Sequence, residues 1–281
     1  MIKVDLHTHS TCSDGLLTPE EVVERAYKKS VKYLALTDHD TVKGLDIAKK
    51  KAKALGINFI PGIELSTDYN GESIHILGFF KDESYKNQEF LNFLKSLKEK
   101  RDLRAIKIIE KLKEEFNIII DKDSVFKKAK GNVIARPHIA YEIIKNGYNY
   151  TKDEIFNKLI GKNCPAYVPT TKILTEEGVK LLKKYNALVF LAHPILIKKS
   201  PLTDFLPFNF DGIEGVYFQN SKEDEERFIK FALENNLLIS AGSDCHGDFN
   251  GDSRHGDIGC MDLDEKYLKA FCNKYYFKNF L

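Results

Sequence analysis

Charge of one sign is the first thing this sequence lacks. Its 43 basic and 41 acidic residues leave a formal net charge of +2 over 281 residues, so no global field of the kind that holds long nucleic acids is present, and any polyanion contact must be local. Paired cysteine is missing as well. The five cysteines (Cys12, Cys164, Cys245, Cys260 and Cys272) are odd in number and include no CxxC spacing. This argues against a disulfide framework and a thiolate zinc site, and fits reduced thiols in a cytosolic protein. Long apolar runs are absent too: the most apolar stretch, Ala187 to Ile197, is broken by His193 and Pro194, so no membrane contact is expected. The chain enters a strand-like stretch at Ile2 without the pattern of a secretory leader, and a cytoplasmic protein is expected. Finally, there is no P-loop, no GxSxG elbow and no Cys/His pairing of protease type, which leaves no recognisable protein nucleophile.

What is present suits an α/β barrel. With 43% hydrophobic and 30% charged residues, the chain can bury a full core, and barrels of about 250 residues are common as single domains. Short β-rich apolar runs alternate with helical patterns, as in βα units building a parallel sheet. The candidate strands are Ile2 to His7, Tyr33 to Thr37, Phe59 to Leu65, Ser73 to Phe80, Ala187 to Ala192, Gly212 to Tyr217 and Leu237 to Ala241. Thr18, Pro19 and Glu20 combine N-cap, first-position proline and first-turn acid, which predicts a helix from there to about Ser30. A second helix is predicted from Thr41 to Leu55. Between 86 and 168 the alternation stops, and Phe90, Leu94, Leu97, Leu103, Ile106, Ile109, Leu112 and Phe116 recur at three- and four-residue steps. The organisation read from this is a barrel formed by 1–85 and 169–281, interrupted by a helical insertion, 86–168, that acts as a substrate cap.

The eight histidines carry the chemistry. His7 and His9 stand two apart where the first strand ends, so their side chains leave the same face and can share an ion. A lone strand histidine is usually structural. Here, however, His39, Glu64, His75, His193, Asp244 and His246 each follow or lie in a further apolar run, and the strand C-termini of a parallel barrel meet on one rim. A histidine or carboxylate at nearly every strand end is hard to explain as packing, and a nitrogen-and-oxygen donor set suits Zn, Mn or Fe. Clustered divalent ions would supply what phosphate ester hydrolysis needs, an activated water and neutralised phosphoryl charge.

These residues resemble a known family. His7-Thr8-His9-Ser10, Asp14-Gly15, Thr37-Asp38-His39-Asp40, Gly62-Ile63-Glu64-Leu65-Ser66, His193-Pro194 and Ser243-Asp244-Cys245-His246-Gly247 are similar to the motifs of PHP (polymerase and histidinol phosphatase) phosphoesterases. The resemblance implies a distorted seven-stranded (β/α) barrel holding three divalent metal ions. It assigns His7, His9, Glu64 and Asp244 to one ion, Glu64, His75 and His193 to a second, and Asp14, His39 and His246 to a third, with Glu64 bridging. Catalysis would then run through Glu64, Asp14, His39 and His193. The histidinol phosphatase branch generally carries a histidine where Asp14 stands. By contrast, Asn132-Val133-Ile134-Ala135-Arg136-Pro137-His138-Ile139-Ala140 and Ala166-Tyr167-Val168-Pro169 resemble the branch that removes the 3′-phosphate from nucleoside 3′,5′-bisphosphates, some of whose members also trim RNA from its 5′ end. That comparison makes Arg136 and His138 substrate phosphate contacts. The expected partner is therefore a small phosphorylated nucleotide or a short RNA or DNA end. Histidinol phosphate or another small monoester is the alternative substrate, and a metal-binding regulatory module without turnover is the alternative class.

Other residues divide between site and scaffold. Arg136 is one of six arginines, and its planar fork suits bidentate phosphate binding. His255 and Arg254 follow the last motif in a polar loop, where substrate contact is the functional reading and a surface loop the bland one. Cys245 alternates away from Asp244 and His246 and reads as packing, Lys49-Lys50-Lys51 as a solvated helix face, and Asp38 and Asp40, which flank His39, as groups that orient a ligand, with loop capping as the alternative.

Overall fold

The structure is a computed structural model and describes residues 1–128, 134, 136–169, 172–247 and 254–276. Asn132, Val133 and Ala135 of the stretch noted above lie outside the described residues. Two compact units are present, one formed by Met1–Leu91 with Lys172–Leu281 and the other by Asn92–Thr171.

The first unit is a barrel of seven longer strands among the described residues: β1 (Ile2–Asp5), β2 (Tyr33–Leu36), β3 (Asn58–Tyr69), β4 (Glu72–Phe80), β6 (Ala187–Leu191), β7 (Gly212–Tyr217) and β8 (Leu238–Gly242). Two-residue strands β5 (Ile173–Leu174) and β9 (Asp262–Leu263) pair with β3 and β1. The sheet order is β8-β7-β6-β4-β3-β2-β1-β9. The chain beyond β1 meets the end of β8, where Leu6 N–H donates to the Ala241 carbonyl at 2.9 Å and Thr8 bridges Cys245 in parallel. That contact closes the barrel.

One strand corrects the expectation of a parallel sheet. β4 runs antiparallel to both β3 and β6. The cause is local: β3 and β4 are separated only by Asn70-Gly71, with φ of 50° and 73°, the two-residue hairpin turn that joins antiparallel strands. His75 is therefore near the start of β4 rather than at a strand C-terminus, and it reaches the rim because its strand runs backwards. Glu64 likewise sits within the long β3 rather than at its end.

Helices cover the sheet. Helix α1 (Pro19–Lys28) begins at Thr18, whose side chain forms a capping box with Glu21. Helix α2 (Leu45–Leu55) starts four residues later than predicted, because Thr41–Gly44 turn before the helix begins. The barrel interior holds Leu6, Ala35, Ile60, Leu77, Phe79, Leu188, Phe190 and Ala192. At the end opposite the histidines, Phe271 and Tyr275 join this core from the last helix, Glu265–Tyr276. Phe79, Phe190 and Phe271 pack edge to face or tilted, with ring centroids 5.2 to 5.7 Å apart.

The second unit is helical. Helix α3 (Gln88–Phe116) is one continuous 29-residue element, followed by α4 (Lys122–Lys128) and α5 (Arg136–Lys145). Its buried stripe is Ala105, Ile108 and Leu112, which pack with Val125, Ile139, Ile143 and Leu159. The predicted Leu103 stands 59% exposed instead. The rest of the row chosen by periodicity holds: Phe90, Leu94, Leu97 and Leu112 are buried, Ile109 and Phe116 pack against the core, and Ala105 and Ile108 join them. No helix among the described residues is long and apolar enough to cross a membrane.

Candidate metal centre

The rim residues are delivered by six of the seven longer strands or the segments that follow them. His7 and His9 leave the end of β1, where backbone bonds Asp244 N–H to His7 O and His9 N–H to Cys245 O, both 2.9 Å, lock that segment to the one after β8. Asp14 sits in the loop beyond, and Asp38 fastens that loop by accepting from Ser10 N (2.7 Å), Ser10 Oγ (2.7 Å) and Ser13 Oγ (2.6 Å). Asp40 accepts from Ser66 N at 2.8 Å. Asp38 thus fastens the loop that carries Asp14, and Asp40 holds β3 two residues beyond Glu64, so both act on segments that carry candidate ligands. His193, after β6, has a φ of 29°, and Asp244, after β8, one of 56°. Such left-handed backbone is strained for residues with a Cβ and tends to cluster where function over-determines it.

Five of the nine candidate ligand residues converge on Glu64. Its Oε2 lies 3.1 Å from His7 Nε2, 3.1 Å from His9 Nε2 and 3.0 Å from His39 Nδ1, while Oε1 lies 2.7 Å from His75 Nδ1 and 3.0 Å from His193 Nε2. Asp244 Oδ1 lies 3.1 Å from His9 Nε2 and 3.4 Å from His7 Nε2. Asp14 Oδ1 is 3.3 Å from His246 Nε2. Donor atoms within 4.8 Å of one another fall into overlapping groups: His7, His9, Glu64 and Asp244; His9, Asp14, His39 and His246; and His39, Glu64 and His75, where the expected set had His193 in place of His39; His193 falls in none of these groups and meets the cluster through Glu64.

A fourth such group is Asp244, His246 and His255. His255 Nε2 lies 3.8 Å from Asp244 Oδ2, and its ring lies over His246 with centroids 4.2 Å apart. Arg254 contributes its carbonyl, which accepts from Gln219 Nε2 at 2.7 Å. Cys245 is buried, as its packing role requires. Arg136 and His138 belong to the second unit. The Arg136 guanidinium lies 5.4 Å over the Phe156 ring and donates to Ile160 O at 3.4 Å. The neighbouring Arg104, which donates to Val168 O at 2.8 Å, has its pKa pushed down to about 10, by burial first and by the Arg136 charge second.

The donor chemistry fits divalent cations. His7 Nε2, both nitrogens of His9, Asp14 Oδ1, His39 Nδ1, Glu64 Oε2, His193 Nδ1 and Asp244 Oδ1 are buried without a hydrogen-bond partner, although buried polar atoms are nearly always satisfied. His7 Nε2, His9 Nε2, His39 Nδ1, Glu64 Oε2 and Asp244 Oδ1 face one another at 3.0 to 3.4 Å without the alignment of a hydrogen bond. Protons balance the cluster only in part. Burial would raise Glu64 and Asp244, but the charges of His39, His7 and His75 around the first and of His7, His9 and His246 around the second hold both well below the carboxylate range. Burial opposes charging of His39 as well, yet Glu64 and Asp14 lift it to about 9. In His75 burial wins, and the pKa falls to about 4. A cation set among these groups would replace the protons and satisfy the orphaned lone pairs.

Three functional residues escaped the sequence reading. Glu214, fully buried in β7, lies 3.1 Å from His7 Nδ1 and accepts from His193 N at 2.8 Å. Tyr217 donates its hydroxyl to Asp244 Oδ2 at 3.1 Å. Asp5 accepts from Ser243 N, Ser243 Oγ and Gly259 N at 2.7 to 3.0 Å, tying β1 to the last motif. A carboxylate inside an otherwise apolar strand, as in Ile2-Lys3-Val4-Asp5 and Gly212-Ile213-Glu214, is the signal that marks two of them.

The PHP domain family model matches residues 5–160, more than half of the chain. The chain belongs to this family. Among curated PHP-like relatives, it is 34% identical over 250 residues to a 5′-3′ exoribonuclease of Haemophilus influenzae, covering 87% of this chain and 90% of that one. It is 32% identical over 259 residues to a 3′,5′-nucleoside bisphosphate phosphatase of Chromobacterium violaceum, covering 89% and 90%. Among solved structures, an amidohydrolase from Chromobacterium violaceum with bound sulfate superposes with a TM-score of 0.82 at 29% identity, covering 95% and 96%. Family and donor cluster together make this PHP protein a metal-dependent phosphoesterase.

Proposed function

We propose that this enzyme removes the 3′-phosphate of nucleoside 3′,5′-bisphosphates and, by the same chemistry, trims short 5′-phosphorylated RNA. The observation that carries the reading is the set of nine converging donors, with orphaned buried atoms, in a chain similar over nearly its whole length to a bisphosphate phosphatase and an exoribonuclease.

Three ions of Mn, Fe or Zn are proposed, the first held by His7, His9, Glu64 and Asp244, the second by Glu64, His75 and His193, and the third by Asp14, His39 and His246. Bound there, such ions supply an acidified water and neutralise phosphoryl charge. The chain's own groups prepare the site. Tyr217 occupies Asp244 Oδ2 and leaves Oδ1 to the cluster. His246 donates Nδ1–H to the Asp244 carbonyl at 2.8 Å and so presents Nε2 to Asp14. Glu64 is shared by five imidazoles, and Asp14, His39 and His193 complete the reacting groups. His255, packed on His246, is assigned to the reacting phosphoryl oxygens. Arg136 and His138 are assigned to the substrate's other phosphate, on the likeness of their stretch to the bisphosphatase branch.

The test compares, with Mn present, phosphate release from adenosine 3′,5′-bisphosphate and histidinol phosphate and release of a nucleoside 5′-monophosphate from a 5′-phosphorylated trinucleotide. A clear preference for the bisphosphate supports the assignment, and a preference for histidinol phosphate overturns it.

A further inference from the structure

Six of the seven longer strands, or the segments that directly follow them, supply the nine donors, and β7 supplies none. In their place β7 contributes Glu214, fully buried, at a register shift between Glu214 and Val216. Bulges of this kind re-aim side chains beside active sites. The carboxylate reaches two ligands carried by two other strands. Oε1 and Oε2 lie 3.1 and 3.2 Å from His7 Nδ1, and Oε2 also accepts from the backbone N–H of His193 at 2.8 Å. The approach is close enough that a Cβ on Gly242 would fall 2.3 Å from Glu214 Oε1 and 2.3 Å from His7 Cβ.

A carboxylate only accepts, so His7 carries its proton on Nδ1 and turns Nε2 toward Glu64 and Asp244. The second contact pins the strained backbone of His193, whose φ is 29°, and with it the direction of the His193 ring. We propose that Glu214 is a positioning residue that couples two metal subsites, the one that uses His7 and the one that uses His193, so that both are set by one side chain. The inference rests on the ligand assignment above. It does not extend to the Asp14, His39 and His246 subsite, none of whose residues has a Glu214 contact among those described.

A glutamine of the same shape has one accepting oxygen; even with that oxygen at the Oε2 position shared by both N–H groups, its amide nitrogen would stand at the Oε1 position, about as far from His7 Nδ1–H as the lost oxygen, donor against donor. Metal-free wild type and Glu214→Gln are titrated with Mn(II) by calorimetry, with circular dichroism as a check of fold. Outer carboxylates of this kind are worth about 10- to 100-fold in metal affinity. Two of the three binding events should therefore weaken by about that factor while the third keeps its wild-type affinity. Glu214→Asp, which keeps the charge but withdraws its oxygens by one methylene, should show the same two-of-three pattern, and it decides the matter where the glutamine variant does not fold. Three wild-type affinities, or three equal losses, overturn the proposal. A wild-type protein that takes up no Mn removes the ligand assignment itself, and the inference with it.

Discussion

His39 and Glu64 are joined twice, by a parallel backbone bridge and by a 3.0 Å approach of His39 Nδ1 to Glu64 Oε2. The backbone pairing sets where the carboxylate stands, and four further imidazoles then reach the same side chain. Glu64→Ala should be the most damaging single substitution at the centre. Removing a shared ligand forfeits several kcal/mol of charge stabilisation, or about 1,000-fold in kcat/KM. Metal content measured on the purified variant should fall together with activity. Near-normal metal content with near-normal turnover would show that the ligand assignment is wrong.

Metal loading should release protons. His39, lifted to about 9, and His7, raised well above its usual value because Glu214, Glu64 and Asp244 overcome the burial that opposes it, hold protons in the metal-free protein near neutral pH. Ligation needs those nitrogens bare. Apparent affinity for Mn should therefore weaken as pH falls from about 9 toward 6, and calorimetry in two buffers of different ionisation enthalpy should count the protons. The stability sign is the opposite. A histidine whose folded pKa is raised stabilises fully below its unfolded value of 6.5 and loses that contribution as pH rises through about 9. The metal-free protein should therefore become less thermally stable across that window, and an unchanged melting temperature would contradict the charge arrangement.

Much of the site was legible because the donors are chemically distinctive and fall at strand ends, where the 7-and-9 spacing of the first pair gives both rings one direction. The strands were legible from apolar runs with β-rich composition. The direction of β4 was not read, although Asn70-Gly71 carried the signal for it, because two adjacent apolar runs look alike whether they pair parallel or antiparallel. Glu214 and Asp5 were hidden for another reason. Each is a single carboxylate in a mostly apolar strand, and only the fold shows that its partners lie more than 200 positions away or, for His193, just beyond the neighbouring strand. On the long helix the periodicity found Phe90, Leu94, Leu97 and Leu112, but it took in the exposed Leu103 and passed over Ala105, because a small side chain gives a weak signal of the face a neighbour covers.

Arg136→Ala should separate two substrates. Loss of a charge-assisted phosphate contact costs about 1.5 to 3 kcal/mol, or roughly 10- to 150-fold. kcat/KM for a 3′,5′-bisphosphate should fall by about that factor, while a 3′-monophosphate should be nearly unaffected. Equal losses on both substrates would place Arg136 with the reacting phosphate or with the scaffold.

Phe271→Ala should act on stability alone. Phe271 is fully buried against Phe79 and Phe190 at the end of the barrel away from the histidines. Truncating such a ring typically costs about 3 to 5 kcal/mol. Denaturant melts should show a loss of that size, while kcat of the protein that remains folded stays close to wild type. A large fall in kcat with unchanged stability would mean that the barrel floor is linked to the chemistry.

Phosphate release from adenosine 3′,5′-bisphosphate by protein stripped of metal, measured before and after Mn is restored, tests the central claim most directly. The stripped protein should be inactive, and restored Mn should return turnover in step with the metal bound, with AMP and inorganic phosphate as the products. Undiminished hydrolysis by fully stripped protein, or none from a fully loaded one, would contradict the account.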